Sequence, residues 1–313
     1  MSQPAIFIAT HDAEAYLPLI RDQLGTDVGI GTASSPEDAV RFYGGEEVVL
    51  ARPDFAVEIL QQEPPIRWLQ STWAGVTPLV SCSHRNYQLT GVKDVFGEQM
   101  GEYVLGYILA HELHIEQRRQ AQANKRWDQF SSRRIAGKTL GVMGTGSIGA
   151  YVAGMAGRLG LRLLGFNSGG RPVEPFERVY DGDSLETFLH QCDYLVGILP
   201  DVSATTDLIN KQTLAVMKDS ALIINVGRGN LIDEDALADA LHDNRIAGAV
   251  LDVFKREPLP ADSPLWEAPD CTITAHVAAV SHPQDIAVLF LENYERFVAG
   301  EPLLRQIDFN KGY

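Results

Sequence analysis

An arginine, a glutamate and a histidine in the last third of the chain are the residues best suited to chemistry. They are Arg228 in NVGRGNLIDE, Glu257 in LDVFKREPLP and His276 in TITAHVAA. A guanidinium binds carboxylate and carbonyl oxygens through its fork of donors. An imidazole donates a proton near neutral pH, and a neighbouring carboxylate orients the ring. Each residue alone has a plainer structural interpretation, but together they predict a catalytic set that reduces a keto group beside a carboxylate.

A glycine-rich loop upstream of these residues forms the predicted cofactor site. The loop reads GTGSIG and lies between an apolar run over 139–143 and a helical pattern over 147–158. This order is typical of a dinucleotide-binding unit, because the loop amides and the helix N-terminus bind pyrophosphate. A purely structural glycine turn is the alternative. The predicted contacts in this loop are Gly144, Gly146, Ser147, Ile148 and Gly149.

The end of the second strand of this unit bears on which cofactor binds. An NAD site usually carries Asp or Glu there, which accepts hydrogen bonds from the ribose hydroxyls, whereas this chain reads Asn167-Ser168-Gly169-Gly170-Arg171. Asn167 and Ser168 can donate hydrogen bonds, and Arg171 offers a cation to a 2′-phosphate. We therefore predict NADPH as the preferred cofactor, with NADH also possible. The alternative is that Arg171 is an ordinary solvated loop residue.

Short apolar runs alternate with helical patterns along most of the chain. Strands separated by helices predict parallel sheets with helices on both faces. The expected fold class is α/β, with two Rossmann/flavodoxin-like doubly wound parallel-sheet domains and an interdomain active-site cleft. We predict a substrate-binding (catalytic) domain over residues 1–100 plus 284–313, and a dinucleotide-binding Rossmann domain over 101–283. One proline-free helix is predicted over 98–118.

Composition narrows the class of partner. The chain has 313 residues and a formal net charge of −15, which disfavours a nucleic-acid binder because such proteins need a basic surface. No apolar run approaches the roughly 18 residues of a membrane span, and no secretory signal is recognised, so we expect a cytoplasmic protein without membrane contact. The three cysteines have no metal-binding spacing, and HELH at 111–114 is not HExxH, so no metal is expected.

Five stretches spread over much of the chain carry a resemblance to a known family. They read GEQMGEYVLGYIL, GVMGTGSIGA, INVGRGNLIDEDAL, GAVLDVFKREPLPADSPLW and TAHVAAVSHP. The chain resembles the D-isomer-specific 2-hydroxyacid dehydrogenase family, and most closely its glyoxylate/hydroxypyruvate reductase A type. The resemblance implies the same roles for Arg228, Glu257 and His276 that their chemistry suggests, and it alone implies the D stereochemistry. It also implies a homodimer built through the cofactor domains, with residues near 120–134 embracing the partner.

The resemblance adds further contacts to the predicted sites. Leu199, Pro200, Val226 and Asp252 are expected beside the cofactor, although Asp252 has the alternative of a buried capping acid. On the substrate side, a loop of Trp73, Ala74 and Gly75 is expected to bind the carboxylate through backbone N–H groups. Trp73 is either a wall of a small pocket or an ordinary core tryptophan. Arg228 and His276 complete that set together with Met100, whose alternative is ordinary helix core.

Two positions depart from the family pattern. Ala275 replaces the usual proline, and His282 stands where the reductase A type often has arginine, so substrate selectivity differs if that position contacts the carboxylate. The predicted function is NADPH-preferring reduction of small 2-keto acids, glyoxylate and hydroxypyruvate foremost, to D-2-hydroxy acids, with His276 as proton donor. The alternative is a non-catalytic dinucleotide-sensing binding protein on the same scaffold.

Overall fold

The chain folds into two compact units, which are described separately here from a computed structural model covering residues 3–310. One unit contains the described residues up to Val95 together with those from Ser281 onward, and the other is Phe96–Val280. The predicted domains, 1–100 plus 284–313 and 101–283, stay a prediction, and their extreme ends lie outside the described residues.

The first unit is built on a five-stranded parallel sheet with the order β2-β1-β3-β4-β5. Its strands are β1 (Ile6–Ala9), β2 (Ile30–Ala33), β3 (Val48–Ala51), β4 (Trp68–Ser71) and β5 (Gln88–Thr90). Its helices are α1 (Ala13–Leu24), α2 (Pro36–Phe42), α3 (Pro53–Leu60), α4 (Thr77–Val80) and, from the C-terminal segment, α11 (Pro283–Ala299). This strand order is that of flavodoxin-like folds.

The second unit contains a seven-stranded parallel sheet with the order β12-β11-β10-β9-β6-β7-β8. Its strands are β6 (Thr139–Met143), β7 (Arg162–Phe166), β8 (Arg178–Tyr180), β9 (Tyr194–Gly197), β10 (Leu222–Asn225), β11 (Gly248–Leu251) and β12 (Cys271–Ile273). Its helices are α5 (Gly97–Glu112), α6 (Ile115–Ala123), α7 (Ser147–Arg158), α8 (Leu185–Leu189), α9 (Lys211–Val216) and α10 (Glu234–His242). The strand order reverses between β6 and β9, as in a Rossmann fold.

Burial explains why the central strands read as continuous apolar runs. Strands β1, β3, β6, β9, β10 and β11 are buried along their whole length. Such strands are covered on both faces by helices, as in other α/β proteins. The predicted fold class, two doubly wound parallel-sheet domains, is therefore confirmed.

The prediction of one helix over 98–118 is wrong. The structure has α5 and α6, separated at Leu113 and His114. His114 adopts a left-handed backbone conformation with φ of 52°, which ends the helical run and redirects the chain. Neither glycine nor proline marks this break, so residue type alone does not reveal it.

Candidate active site

The predicted site residues of the second unit follow the carboxyl ends of neighbouring parallel strands. Arg228 follows β10, Asp252 follows β11 and His276 follows β12, while the glycine loop follows β6. Carboxyl ends of parallel strands meet at one edge of a sheet, which is where open α/β sheets bind their ligands. The topology thus collects residues that are far apart in the chain.

Arg228 is held by a tight turn at the end of β10. The buried Asn225 donates from Nδ2 to the carbonyl of Arg228 at 3.0 Å and accepts from the Gly227 amide at 3.3 Å. The Arg228 side chain donates to the Gly227 carbonyl at 2.6 Å. Burial lowers the pKa of Arg228 from its usual value, and the nearby carboxylates of Glu257 and Asp201 oppose this shift. Asn225 was not predicted as a site residue, although a buried asparagine closing an apolar strand was an available signal.

Glu257 and His276 form a direct pair. Nδ1 of His276 lies 2.8 Å from Oε2 of Glu257, and the side chains are 42% and 37% exposed, so solvent and ligands reach the pair. The second carboxylate oxygen of Glu257 accepts from the Phe254 amide at 3.0 Å. The carboxylate is therefore fixed at one end and orients the imidazole at the other. Because Glu257 also acts on Arg228, the structure brings all three predicted catalytic residues into one electrostatic cluster.

Asp252 organises the loop that carries His276. The side chain is 1% exposed and accepts from Thr274 Oγ1 at 2.5 Å and from the Val277 and Ala278 amides at 2.8 and 2.9 Å. The His276 amide donates to the Asp252 carbonyl at 2.8 Å. These bonds hold His276 in a left-handed conformation with φ of 57°, which is rare for a residue with a side chain. The structure thus shows a loop-supporting position for Asp252.

The glycine loop has the form that a dinucleotide pyrophosphate requires. Gly144 has φ of 112°, and a Cβ there would lie 2.6 Å from the Ile198 carbonyl oxygen. A Cβ at Gly149 would collide with the Gly144 carbonyl, whereas one at Gly146 would meet nothing within 4 Å. Helix α7 begins at Ser147, so its first-turn amides, including that of Ile148, point out of the N-terminus as donors for phosphate. The loop therefore fits the cofactor class that the sequence predicts.

Asn167 shapes the loop beyond β7. Its Nδ2 donates to Thr145 Oγ1 at 2.9 Å and to the Arg171 carbonyl at 3.0 Å. Its Oδ1 accepts from the amides of Gly169 and Arg171, both at 3.1 Å. Ser168 and Arg171 are exposed on the loop that results. Asp181 lies close by, since a Cβ at Gly170 would be 3.3 Å from its Oδ2, and the sequence argument did not foresee this carboxylate.

The remaining cofactor-side residues occupy different environments. Leu199 is partly buried against the core and Pro200 is exposed in the loop after β9, whereas Val226 is 3% exposed at the end of β10. Met100, on α5, packs partly buried against the apolar cluster around α7 and β6. This environment is that of helix core, which is the alternative given for Met100.

In the first unit, the loop after β4 carries the predicted substrate contacts. Trp73 is 40% exposed, and its amide donates to Ser71 Oγ at 3.0 Å. Within residues 3–310, the amides of Ala74 and Gly75 have no hydrogen-bond acceptor, so both are available to an anion. His282 is exposed at the residue before α11.

Residues 3–310 contain neither a metal-binding cluster nor a membrane-spanning helix. No cluster of three or more His, Cys, Asp and Glu side chains there could hold a metal ion. No helix there is both long and apolar enough to cross a bilayer.

Comparison with known proteins agrees with this geometry. Residues 105–278 match the sequence model of the D-isomer specific 2-hydroxyacid dehydrogenase, NAD binding domain. A glyoxylate/hydroxypyruvate reductase A from Escherichia fergusonii is 33% identical over 217 residues, which cover 69% of this chain and 70% of that protein.

Solved structures extend the likeness to almost the whole chain. A D-isomer specific 2-hydroxyacid dehydrogenase family protein from Aeromonas salmonicida is 37% identical with a TM-score of 0.93, covering 98% of this chain and 100% of that one. An NADPH-dependent glyoxylate/hydroxypyruvate reductase from Sinorhizobium meliloti, solved with NADP and sulfate, is 26% identical with a TM-score of 0.86, covering 99% and 100%.

The fold and the family match define the class as an NAD(P)-dependent oxidoreductase. The chain belongs to the D-isomer specific 2-hydroxyacid dehydrogenase family.

Proposed function

We propose that this protein reduces small 2-keto acids, with glyoxylate and hydroxypyruvate as leading substrates, to D-2-hydroxy acids. The observation that carries the proposal is the cluster of Arg228, Glu257 and His276, in which the imidazole is paired with a carboxylate and that carboxylate acts on a partly buried guanidinium. The relatives named as glyoxylate/hydroxypyruvate reductases support this choice of substrate.

Each member of the cluster has a separate task in the reaction. Arg228 binds the substrate carboxylate and carbonyl oxygens and polarises the carbonyl as negative charge develops on its oxygen. His276, in its protonated form, donates the proton that this oxygen acquires. Glu257 keeps the ring oriented and stabilises its positive charge. When bound, the reduced nicotinamide supplies the hydride.

The cofactor is NADPH in preference to NADH. Gly144, Gly146, Ser147, Ile148 and Gly149 would hold the pyrophosphate, while Ser168 and Arg171 would bind the 2′-phosphate on the loop that Asn167 shapes. Leu199, Pro200 and Val226 would line the nicotinamide region, and Asp252 would support it through the His276 loop. The NADP in the Sinorhizobium meliloti enzyme supports the same preference.

The loop of Trp73, Ala74 and Gly75 would bind the substrate carboxylate through the amides of Ala74 and Gly75, because adjacent backbone N–H groups form anion-binding concavities. His282 stands where the resemblance implies an arginine, and an imidazole offers fewer donors than a guanidinium, so its contribution to carboxylate binding would be weaker. We assign Met100 a packing role beside the cofactor-binding unit.

We also propose that the protein is a cytoplasmic homodimer. Trp127, in the arm that follows α6, is 92% exposed, which supports a homodimer in which this residue is covered by the second copy. The free Cys82, Cys192 and Cys271 support a reducing, cytoplasmic setting.

A spectrophotometric assay tests the function directly. Glyoxylate and hydroxypyruvate should each oxidise NADPH when the wild-type protein is present, and His276→Asn should lower kcat about 10²–10⁴-fold because the proton donor is lost. Arg228→Gln should lower kcat/KM by about 10²–10³-fold, since it removes the group that stabilises the developing oxyanion.

The controls separate an enzyme from a sensor. Binding of NADPH, measured by its fluorescence, should stay within about threefold of wild type in both variants, a difference of no more than about 0.7 kcal/mol in binding free energy. A protein that binds NADPH but oxidises none with any 2-keto acid would instead be the dinucleotide-sensing alternative.

A further inference from the structure

An arginine of the first unit lies against the indole of the predicted substrate loop, and no role has yet been assigned to it. The guanidinium carbon of Arg52 is 4.5 Å from the ring centroid of Trp73. Arg52 is also paired with Asp54, its Nε lying 2.8 Å from Oδ1. Its side chain is 25% exposed, so the cation is partly enclosed rather than extended into solvent.

The sheet places these two residues side by side. Strands β3 and β4 are parallel neighbours with Ala51 opposite Ser71, so Arg52 and Thr72 leave the same edge together. The Thr72 amide continues the ladder by donating to the Ala51 carbonyl at 2.9 Å. The stacked pair is therefore anchored on regular sheet rather than on a mobile segment.

The backbone of Trp73 is fixed as well. Ser71 Oγ accepts from the Trp73 amide at 3.0 Å and donates to the Trp73 carbonyl at 2.8 Å. Ser281 Oγ donates to the Thr72 carbonyl at 2.6 Å. Because the amide and the carbonyl of Trp73 are both hydrogen-bonded, the indole can move mainly by rotation about its side-chain torsions. The guanidinium of Arg52, which lies over the ring, restricts that rotation.

The indole directly precedes the amides of Ala74 and Gly75, which are available to an anion. A carboxylate bound there would place the rest of a 2-keto acid beside a ring that cannot turn away. A fixed aromatic wall admits a hydrogen or a hydroxymethyl group more readily than a branched or aromatic substituent.

We propose that Arg52 is a positioning residue for substrate specificity: it holds the Trp73 indole as a rigid wall that restricts this enzyme to 2-keto acids with small substituents. The proposal rests on the proposed function for the identity of the ligand. Arg52 itself need not contact the substrate, because it acts through the orientation of Trp73.

Comparing a small with a bulky 2-keto acid tests this role. The ratio of kcat/KM for phenylpyruvate to that for glyoxylate should rise about tenfold or more in Arg52→Ala, since pocket discrimination of this kind spans roughly 10- to 200-fold. Arg52→Lys keeps the charge without the planar stack and should give an intermediate ratio. Asp54→Asn loosens Arg52 and should shift the ratio in the same direction by a smaller amount.

Arg67 provides a matched control in the same sheet. It stacks on Phe297 at 4.9 Å and pairs with Glu47 at 3.0 Å, but it precedes β4 and so lies at the opposite edge. Arg67→Ala should leave the ratio at the wild-type value. An unchanged ratio in Arg52→Ala, or equal changes in Arg52→Ala and Arg67→Ala, would overturn the proposal.

A binding measurement tests the role of Arg52 without depending on whether the protein turns over a 2-keto acid. Calorimetry in the presence of NADP⁺ can compare oxamate, a small unreactive mimic of a 2-keto acid, with phenylpyruvate. Arg52→Ala should tighten phenylpyruvate binding relative to oxamate, and failure to do so overturns the role of Arg52. Absence of turnover with every keto acid would instead count against the proposed reductase while leaving this binding comparison decisive.

Discussion

At the residue scale, partners rather than residue type decide what a side chain does. Asn167 was predicted as a hydrogen-bond donor in the cofactor site. The structure instead commits both amide hydrogens to Thr145 and Arg171, and the amide oxygen accepts from Gly169 and Arg171. Asn167 thus joins the pyrophosphate loop to the loop that presents Arg171.

The exchange Asn167→Asp tests this bracing role. An aspartate cannot donate to Thr145 Oγ1 or to the Arg171 carbonyl, and it adds negative charge where the 2′-phosphate is proposed to bind. Loss of these bonds costs about 1–3 kcal/mol, so the Kd for NADPH should rise roughly 5- to 150-fold. The Kd for NADH should change less, and fluorescence titration measures both.

Two further variants help to explain the change in Kd that Asn167→Asp causes. Arg171→Gln removes the proposed phosphate contact but keeps the brace, and should weaken NADPH alone. Asp181→Asn removes the neighbouring carboxylate and should favour NADPH. Equal weakening of the two dinucleotides by Asn167→Asp would show that the brace serves the pyrophosphate loop only.

At the element scale, short loops after parallel strands carry the site, and buried polar residues determine their shape. Asp252 supports the loop after β12 with three side-chain hydrogen bonds, and Asn225 supports the turn after β10 with two. Neither acts by itself on a substrate atom in the proposed reaction. Each fixes the backbone from which a reacting side chain projects.

Replacing Asp252 with asparagine should disturb this loop. An amide cannot accept all three bonds, so one buried donor is left unpaired at a cost of about 1–3 kcal/mol in the free energy of unfolding. We also expect kcat to fall, because His276 loses its fixed position, and denaturant titration with steady-state kinetics measures both effects. Thr274→Val, which removes only one donor, should have a smaller effect, and wild-type stability and kcat in Asp252→Asn would contradict this role.

At the scale of the whole molecule, the chain divides its tasks between two units. The second unit contains the proposed catalytic cluster and the glycine loop, while the first carries the substrate loop and the Arg52–Trp73 stack. A ligand that binds only the folded state stabilises it by mass action. NADPH should therefore stabilise the unit Phe96–Val280, which contains its proposed site, more than it stabilises the rest of the chain.

Thermal unfolding measures this effect. At about 100 times its Kd, NADPH should add about 2.7 kcal/mol to the free energy of unfolding and raise Tm. NADH at the same concentration should raise Tm less, and Arg171→Gln should remove most of the difference between the two. A shift with NADH equal to that with NADPH would refute the proposed cofactor preference.

The fold class, the glycine loop and the residue types of the proposed catalytic cluster could be predicted from the sequence alone. These features are encoded locally, since the alternation of apolar runs and helical patterns specifies parallel sheets, and glycines mark the turn where a Cβ collides. The tertiary structure decided what links residues distant in the chain: the bonds of Asp252, the brace at Asn167 and the stack of Arg52 on Trp73. It also decided where helices α5 and α6 separate, at His114, because no glycine or proline marks that position in the sequence. Such features depend on which strand ends become neighbours in the sheet. The sequence of one strand does not reveal which loops will lie beside it.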